Sequence, residues 1–225
     1  MAKAEALRPL PAPFVLVAFL TAALSVSQVA LALPPGDSTR PADLVEPVKL
    51  DTTIRLDIRY ATNSNFTGRT VYPAARAFLQ RPAAEALLRA QTRLHGMGYG
   101  LVIFDAYRPL SITRLFWNLT PKAKRKFVAN PAKGSKHNRG CAVDCSLVRL
   151  STGEEVEMTS PYDDFTEKAA AAYRGGTVEQ HRVRDILRKV MEEEGFAVNP
   201  DEWWHFDYRD WRYYPILDIP FNKLH

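Results

Sequence analysis

The sequence predicts an α+β fold in which helices pack on a small antiparallel or mixed sheet. Two long segments carry one apolar face at helical spacing, and several short apolar segments alternate as strands do. Of the 225 residues, 46% are hydrophobic and 24% are charged, which is typical of a globular protein. The net charge of +5 is spread along the chain apart from the basic run 122–126. That run favours a solvated face, so we predict no nucleic-acid partner.

The N-terminal region has the pattern of a secretory signal peptide. Lys3 and Arg8 precede residues 14–32, which carry no charge and end in Ala-Leu-Ala. The alternative is a signal anchor, because the apolar stretch is nearly long enough to span a bilayer. Polar Ser25 and Gln28 interrupt the stretch and favour cleavage.

These features divide the chain into three predicted parts. Residues 1–32 form the signal peptide, residues 33–47 a Pro-rich tether, and residues 48–225 one folded catalytic domain. We therefore predict an exported protein, periplasmic or secreted, without stable membrane insertion after cleavage. No feature of the sequence indicates an oligomeric state.

The first predicted elements of the domain are a strand and a helix. Residues 48–62 contain short alternating stretches that suggest a strand. Pro82 then opens an Ala/Leu-rich helix that contains Leu87 and Leu94 and stops at Gly96.

The middle of the chain predicts a buried strand, a helix and a turn. Residues 100–105 are apolar up to a final aspartate and indicate a short buried strand. Residues 111–119 have helical character and end before Pro121, and residues 133–140 are polar enough for a turn.

The last predicted elements are strand, helix and strand. Residues 141–150 alternate well enough for a strand. Thr177 and Gln180 form a capping-box pattern before an amphipathic helix that Gly195 ends. The aromatic-rich residues 201–208 then predict a second strand.

His137 and Asp144 are the first pair of candidate metal ligands. Alternation along the strand places Asp144 opposite the apolar face of Cys141 and Cys145, and therefore toward a cleft. Gly140 lets the preceding turn bend back, so that a histidine nitrogen and a carboxylate oxygen, both good zinc ligands, come together. The alternative for this pair alone is a structural Asp–His hydrogen bond.

The two cysteines take no part in this chemistry. On a strand, the Cα atoms of Cys141 and Cys145 would lie about 13 Å apart, beyond the reach of a disulfide. We expect both to be buried small apolar residues.

Glu202 and His205 supply a candidate third ligand and a candidate base. His205 can complete a catalytic zinc site, and Glu202 can move protons. Residues three apart on a regular strand face opposite sides, so a shared site requires a bulge, a tight turn or a helical twist. The alternative is an aromatic core strand with an incidental histidine.

Arg108 is a candidate for binding negative charge. It follows a buried strand and precedes a proline, so we expect it at the rim of the cleft. A guanidinium there could bind a carboxylate or a developing oxyanion, although a surface salt bridge is the ordinary role of a lone arginine.

Together these residues resemble the zinc D-alanyl-D-alanine dipeptidase family, which is related to zinc D,D-carboxypeptidases. The similarity covers roughly residues 48–220. Its motifs are Ser135-x-His137-x-x-Gly140-x-Ala142-x-Asp144, Glu202-x-x-His205, and Asp105-x-Tyr107-Arg108-Pro109. Residues 60–68 and 158–165 resemble the dipeptidase branch in particular.

The resemblance implies one zinc ion per chain, bound by His137, Asp144 and His205. It implies hydrolysis by a metal-activated water, with Glu202 as general base and acid and Arg108 stabilising the tetrahedral intermediate.

The resemblance also implies where the substrate lies. Asp163 is expected near the ammonium group of a dipeptide, with Asp144 close by, and Ser135 near its carboxylate.

The function implied is hydrolysis of D-alanyl-D-alanine and similar small dipeptides in bacterial cell-wall turnover or nutrient recovery. The nearest alternative is a D,D-carboxypeptidase that trims peptidoglycan stem peptides, which would need the amino side of the cleft open. A zinc-containing binding module without turnover is a third possibility, and the presence of both Glu202 and Arg108 argues against it.

Overall fold

The chain is organised around a five-stranded mixed sheet. In the computed structural model, which describes Met1 and residues 40–224, the strands in chain order are β1 (Leu44–Val45), β2 (Arg55–Leu56), β3 (Leu79–Gln80), β4 (Tyr99–Asp105), β5 (Ala142–Arg149), β6 (Phe196–Asn199) and β7 (Glu202–Tyr208). The main sheet has the order β2-β4-β5-β7-β6, and only its β2–β4 pair is parallel. β1 and β3 form a separate antiparallel pair.

The helices complete the predicted α+β architecture. They are α1 (Pro47–Leu50), α2 (Arg81–His95), α3 (Leu110–Leu119) and α4 (Val178–Glu193). Short 3-10 helices lie at Arg59–Ala61, Lys122–Phe127, His137–Arg139, Glu167–Ala169, Trp211–Tyr213 and Phe221–Lys223. α2 packs against β4 and α4, and α4 also packs against β5, β6 and β7. The fold class is therefore confirmed.

The helix α4 forms as the sequence predicts. The Thr177 hydroxyl accepts a hydrogen bond from the backbone N–H of Gln180 at 3.1 Å, and the Gln180 side chain accepts one from the Thr177 N–H at 2.8 Å. This reciprocal capping box satisfies two backbone donors that would otherwise lack partners at the start of the helix. Val183, Leu187 and Val190 then form its buried stripe.

The central strands are covered on both sides. All seven residues of β4 are buried, and so are the first seven of the eight residues of β5. The face of β5 opposite the cysteines is therefore enclosed as well, and Asp144 on that face lines the pocket described below. Cys141 and Cys145 are buried and free, as expected.

The segment 48–62 differs from the strand predicted for it. It consists of the last three residues of α1, the two-residue β2 and the first 3-10 helix. Pro47 suits the first turn of a helix, where its missing N–H is not needed. Ile54, Ile58 and Tyr60 are buried although they do not lie on a continuous strand.

Residues 40–47, assigned by the sequence to the tether, are part of the folded body. Leu44 and Val45 pair with β3. The Arg76 guanidinium donates to both carboxylate oxygens of the buried Glu46, at 3.1 and 2.7 Å. The predicted signal peptide lies outside the described residues, and among those that are described no helix combines the length and apolar character needed to cross a membrane.

Gly140→Ala is expected to destabilise the protein more than Gly68→Ala. Both glycines have positive φ, 66° and 67°, which costs an L-residue about 1–2 kcal/mol. A Cβ at Gly140 would also clash with Cδ2 of Leu44 and lie 3.3 Å from the backbone nitrogen of Gln80, whereas one at Gly68 meets nothing within 4 Å. Urea unfolding measures the difference. Equal losses in both variants would contradict this account of the turn.

Candidate metal centre and catalytic pocket

Strand pairing brings two of the predicted metal ligands together. Asp144 on β5 and His205 on β7 are directly opposite partners in the antiparallel ladder. Directly opposite side chains start about 4.5–5.5 Å apart at their Cβ atoms, so their donor atoms can meet. His137 reaches the same place from the turn before β5, where Gly140 adopts a left-handed conformation.

The donor atoms of these three residues form a tight triangle. Nε2 of His137 lies 3.1 Å from Nδ1 of His205 and 3.4 Å from Oδ1 of Asp144. Nδ1 of His205 lies 3.0 Å from the same Oδ1. A tetrahedral zinc with bonds of about 2.0–2.2 Å spaces its ligand atoms roughly 3.3 Å apart. The triangle therefore has the size of three zinc ligands.

The contacts of the two ring nitrogens outside the triangle show where each imidazole carries its proton. Nδ1 of His137 lies 2.6 Å from the carbonyl oxygen of Ala106, and Nε2 of His205 lies 2.9 Å from Oδ1 of Asp207. Each of these nitrogens faces an acceptor and so carries the proton in a neutral ring. The triangle then consists of three lone-pair atoms, and Oδ1 of the buried Asp144 has no hydrogen-bond partner among the described residues.

The charges around the triangle favour a cation. Burial alone would lower the pKa of His205, but the carboxylates of Asp144 and Asp207 outweigh it and raise that pKa well above its ordinary value. Burial also opposes ionisation of Asp144, yet the two imidazoles hold its pKa below its usual range. A buried site that stabilises positive charge and offers two nitrogens and one carboxylate oxygen as donors suits zinc.

A bulge places Glu202 beside these donors. The pairing of β6 with β7 passes from Val198 opposite Phe206 to Asn199 opposite Glu202, so β7 contains the irregularity that a shared site requires. Oε2 of Glu202 lies 3.7 Å from Nδ1 of His205 and accepts a hydrogen bond from Asn199 at 2.8 Å. Burial raises the pKa of Glu202.

Arg108 is buried instead of lying at the rim predicted for it. Its side chain is only 10% exposed. Its Nε and Nη2 both donate to Oδ2 of Asp105, at 3.0 and 2.5 Å, while Tyr72 donates to the other oxygen of Asp105 at 2.8 Å. Nη2 of Arg108 also lies 4.0 Å from Oδ2 of Asp144. The guanidinium is thus held rigidly next to the candidate metal ligands.

One pocket joins the predicted site residues. It is a cavity of about 450 Å³. Its lining includes all seven residues that the sequence assigns to the site, namely Arg108, Ser135, His137, Asp144, Asp163, Glu202 and His205. Aromatic rings form part of its wall, and Phe165 stacks parallel to Phe127 at 5.2 Å and contacts Phe66 at the same distance.

Asp163 contributes a second carboxylate to this pocket. It is the one residue other than glycine with a positive φ, 59°, in the described part of the chain, and its Oδ2 accepts a hydrogen bond from Tyr60 at 2.9 Å. Aspartate tolerates this left-handed conformation better than most residues. Burial raises the pKa of Asp163 to about 8, and the nearby Asp144 adds to the effect.

Asp163→Asn is expected to reduce the loss of stability as the pH rises. The folded-state pKa of Asp163, about 8, exceeds its unfolded value. The contribution of this group to stability is therefore greatest below about pH 4 and is lost toward pH 8. One such group changes the free energy of unfolding by at most about 1.4 kcal/mol per pH unit. Urea unfolding of the metal-free wild type and variant between pH 5 and 8 measures it. Parallel profiles would contradict the prediction.

Three contacts of the site were not anticipated from the sequence. Tyr162 donates to Oδ2 of Asp144 at 3.0 Å, and Asp207 and Asn199 contact His205 and Glu202 as described above. Asp207 had a readable signal, because it lies two positions after His205 and side chains two apart on a strand share a face. The contact between Tyr162 and Asp144 joins separate parts of the chain, and no local sequence signal indicates it.

A comparison with protein families finds one that covers most of the chain. Residues 40–220 match the model of the peptidase M15 family described as D-ala-D-ala dipeptidase. The matched range contains every residue of the pocket described above.

Three curated relatives also match most of the chain. A D-alanyl-D-alanine dipeptidase of Enterococcus faecium is 36% identical over 175 residues, which cover 70% of this chain and 87% of that protein. One of Enterococcus faecalis is 35% identical, covering 75% and 91%. One of Escherichia coli is 31% identical, covering 80% and 92%.

Proposed function

We propose that this chain, which belongs to the D-ala-D-ala dipeptidase family of M15 peptidases, is a zinc metallopeptidase that hydrolyses D-alanyl-D-alanine and similar small dipeptides. The observation that carries the proposal is the triangle of three buried lone-pair atoms from His137, Asp144 and His205 beside Glu202. One zinc ion per chain fits these donors.

His137, Asp144 and His205 would hold the zinc through the three atoms of the triangle. When bound, the ion supplies Lewis-acid polarisation of the scissile carbonyl and makes water more acidic. With the zinc ion bound, two neutral imidazoles and one carboxylate would leave the site with a net positive charge. This charge favours the negative charge that develops on the substrate oxygen.

Glu202 moves the proton. Its raised pKa brings it closer to the working pH, where a general base and acid is most effective. Asn199 fixes one carboxylate oxygen and so orients the group. Glu202 takes a proton from the attacking water as the carbon–oxygen bond forms, and delivers it to the departing amine as the carbon–nitrogen bond breaks.

The remaining pocket residues bind the two ends of the dipeptide and the developing oxyanion. Asp163 pairs with the free ammonium group, Ser135 contacts the carboxylate, and Arg108 stabilises the oxyanion. Nη1 of Arg108 makes no hydrogen bond within residues 40–224, whereas Nε and Nη2 are held by Asp105, so one donor edge stays available to substrate.

The substrate range distinguishes the dipeptidase from a D,D-carboxypeptidase. The purified, zinc-loaded protein is assayed on D-Ala-D-Ala, L-Ala-L-Ala and a pentapeptide ending in D-Ala-D-Ala. We expect hydrolysis of D-Ala-D-Ala and little release of D-Ala from the pentapeptide, since Asp163 favours a free ammonium. Cleavage of the pentapeptide but not of the dipeptide would establish the carboxypeptidase instead.

Export to the periplasm or the cell exterior, in support of cell-wall peptide turnover, is the second part of the proposal. It rests on the uncharged residues 14–32 and the Ala-Leu-Ala pattern at their end. Expression in a bacterium, followed by fractionation and N-terminal sequencing, tests it. A product beginning near Leu33 outside the cytoplasm is expected, and an uncleaved cytoplasmic product would rule it out.

A further inference from the structure

Asp207 lies where it can control the orientation of a metal ligand. It follows His205 by two positions on β7, so both side chains project from the same face of the strand. Across the ladder, Asp144 is the partner of His205 and Ala142 is the partner of Asp207. Because Ala142 is small, it leaves room for the carboxylate of Asp207 to reach the imidazole of His205.

Both oxygens of this carboxylate are engaged. Oδ1 lies 2.9 Å from Nε2 of His205, and Oδ2 lies 3.1 Å from Nζ of Lys136. The ammonium group of Lys136 in turn lies 5.4 Å from the centre of the Trp211 ring. Lys136 immediately precedes His137 in the chain, so the loop that supplies one metal ligand also fixes the group that contacts another.

We propose that Asp207 is a positioning residue that keeps His205 in the tautomer with its proton on Nε2 and its lone pair on Nδ1. This inference rests on the proposed zinc site. The ring could otherwise carry its proton on Nδ1, the atom that faces Asp144 and His137, and would then present no lone pair there. A carboxylate behind a ligating histidine also increases the basicity of the ring.

The proposal predicts weaker zinc binding when the carboxylate is removed. Asp207→Ala is expected to lower zinc affinity by about 10- to 100-fold, the range usual for loss of such an outer partner. Asp207→Asn keeps the shape and one acceptor oxygen, so a smaller loss is expected. Asp185→Asn is the matched control, because its carboxylate is 64% exposed on α4 and pairs with Arg184.

Three measurements on the full-length protein test the proposal. Competition with a chromophoric chelator gives the zinc affinity of each variant, and circular dichroism shows whether it is folded. Proton NMR of the zinc-loaded wild type is expected to show a low-field resonance from the Nε2–H of His205, absent from Asp207→Ala. Asp207→Asn provides the affinity comparison if the alanine variant does not fold.

The outcomes separate this inference from the function on which it rests. A wild type that binds no zinc contradicts the proposed function itself. A wild type that binds zinc, with folded Asp207 variants of equal affinity or an unchanged Nε2–H resonance in Asp207→Ala, overturns the positioning role alone.

Discussion

Glu202→Gln is expected to lower kcat on D-Ala-D-Ala by about 100- to 10,000-fold while zinc binding is retained. Glutamine keeps the size of the side chain and an oxygen that Asn199 can contact, but it cannot accept and return a proton. The carboxylate is not one of the three triangle donors, so the metal site should persist. Steady-state kinetics and zinc content of the purified variant provide the measurement.

Glu192→Gln is the matched control for this substitution. Glu192 is exposed on α4 and pairs with Arg188, so the same chemical change there should leave kcat unaltered. If Glu202→Gln retained the wild-type kcat, its role in proton transfer would be excluded. If it lost the zinc instead, Glu202 would be a ligand and not a base.

Arg108→Met is expected to reduce both turnover and stability. Loss of a donor to the oxyanion typically lowers kcat by about 100- to 1000-fold. The same change leaves the carboxylate of Asp105, which is fully buried, without its ionic partner, and breaking such a pair costs about 3–5 kcal/mol. Kinetics on D-Ala-D-Ala and urea unfolding measure the two effects separately.

Arg114→Met and Arg108→Lys are the control variants for Arg108→Met. They separate the loss of the paired guanidinium contact from the loss of an arginine or of its charge in general. Arg114 is 58% exposed and lies 3.7 Å from Asp218, so its loss should change stability by no more than about 0.5 kcal/mol. Lysine at position 108 keeps the positive charge beside Asp105 and should recover part of the stability, although it cannot reproduce the paired contact of the guanidinium. A kcat for Arg108→Met within tenfold of wild type would contradict the assignment to the oxyanion.

The sequence indicated most of the regular elements because their signals are local. The cap at Thr177, the apolar stripe of α4 and the buried strand β4 depend on neighbouring residues, and all three are present in the fold. The segment after Pro47 does not form the predicted strand, because Ile54 and Ile58 are buried by irregular packing that mimics strand alternation.

The motifs predict that His137, Asp144, His205 and Glu202 share one candidate site, and the fold brings their side chains together. The bulge that strand geometry requires for such a site is present in β7. The packing of Arg108 over Tyr60 and the contact of Tyr162 with Asp144 could not be read from the chain, since both join residues distant in sequence.

The direct pairing of Asp144 with His205 has a consequence for how metal binding relates to folding. The distance between two of the three donors is set by the backbone ladder and not by the ion. Zinc should therefore bind a chain that is already folded, unlike small zinc fingers, which fold only when metal is present. The rise in thermal stability on adding zinc should then follow simple mass action, growing with the logarithm of the free zinc concentration.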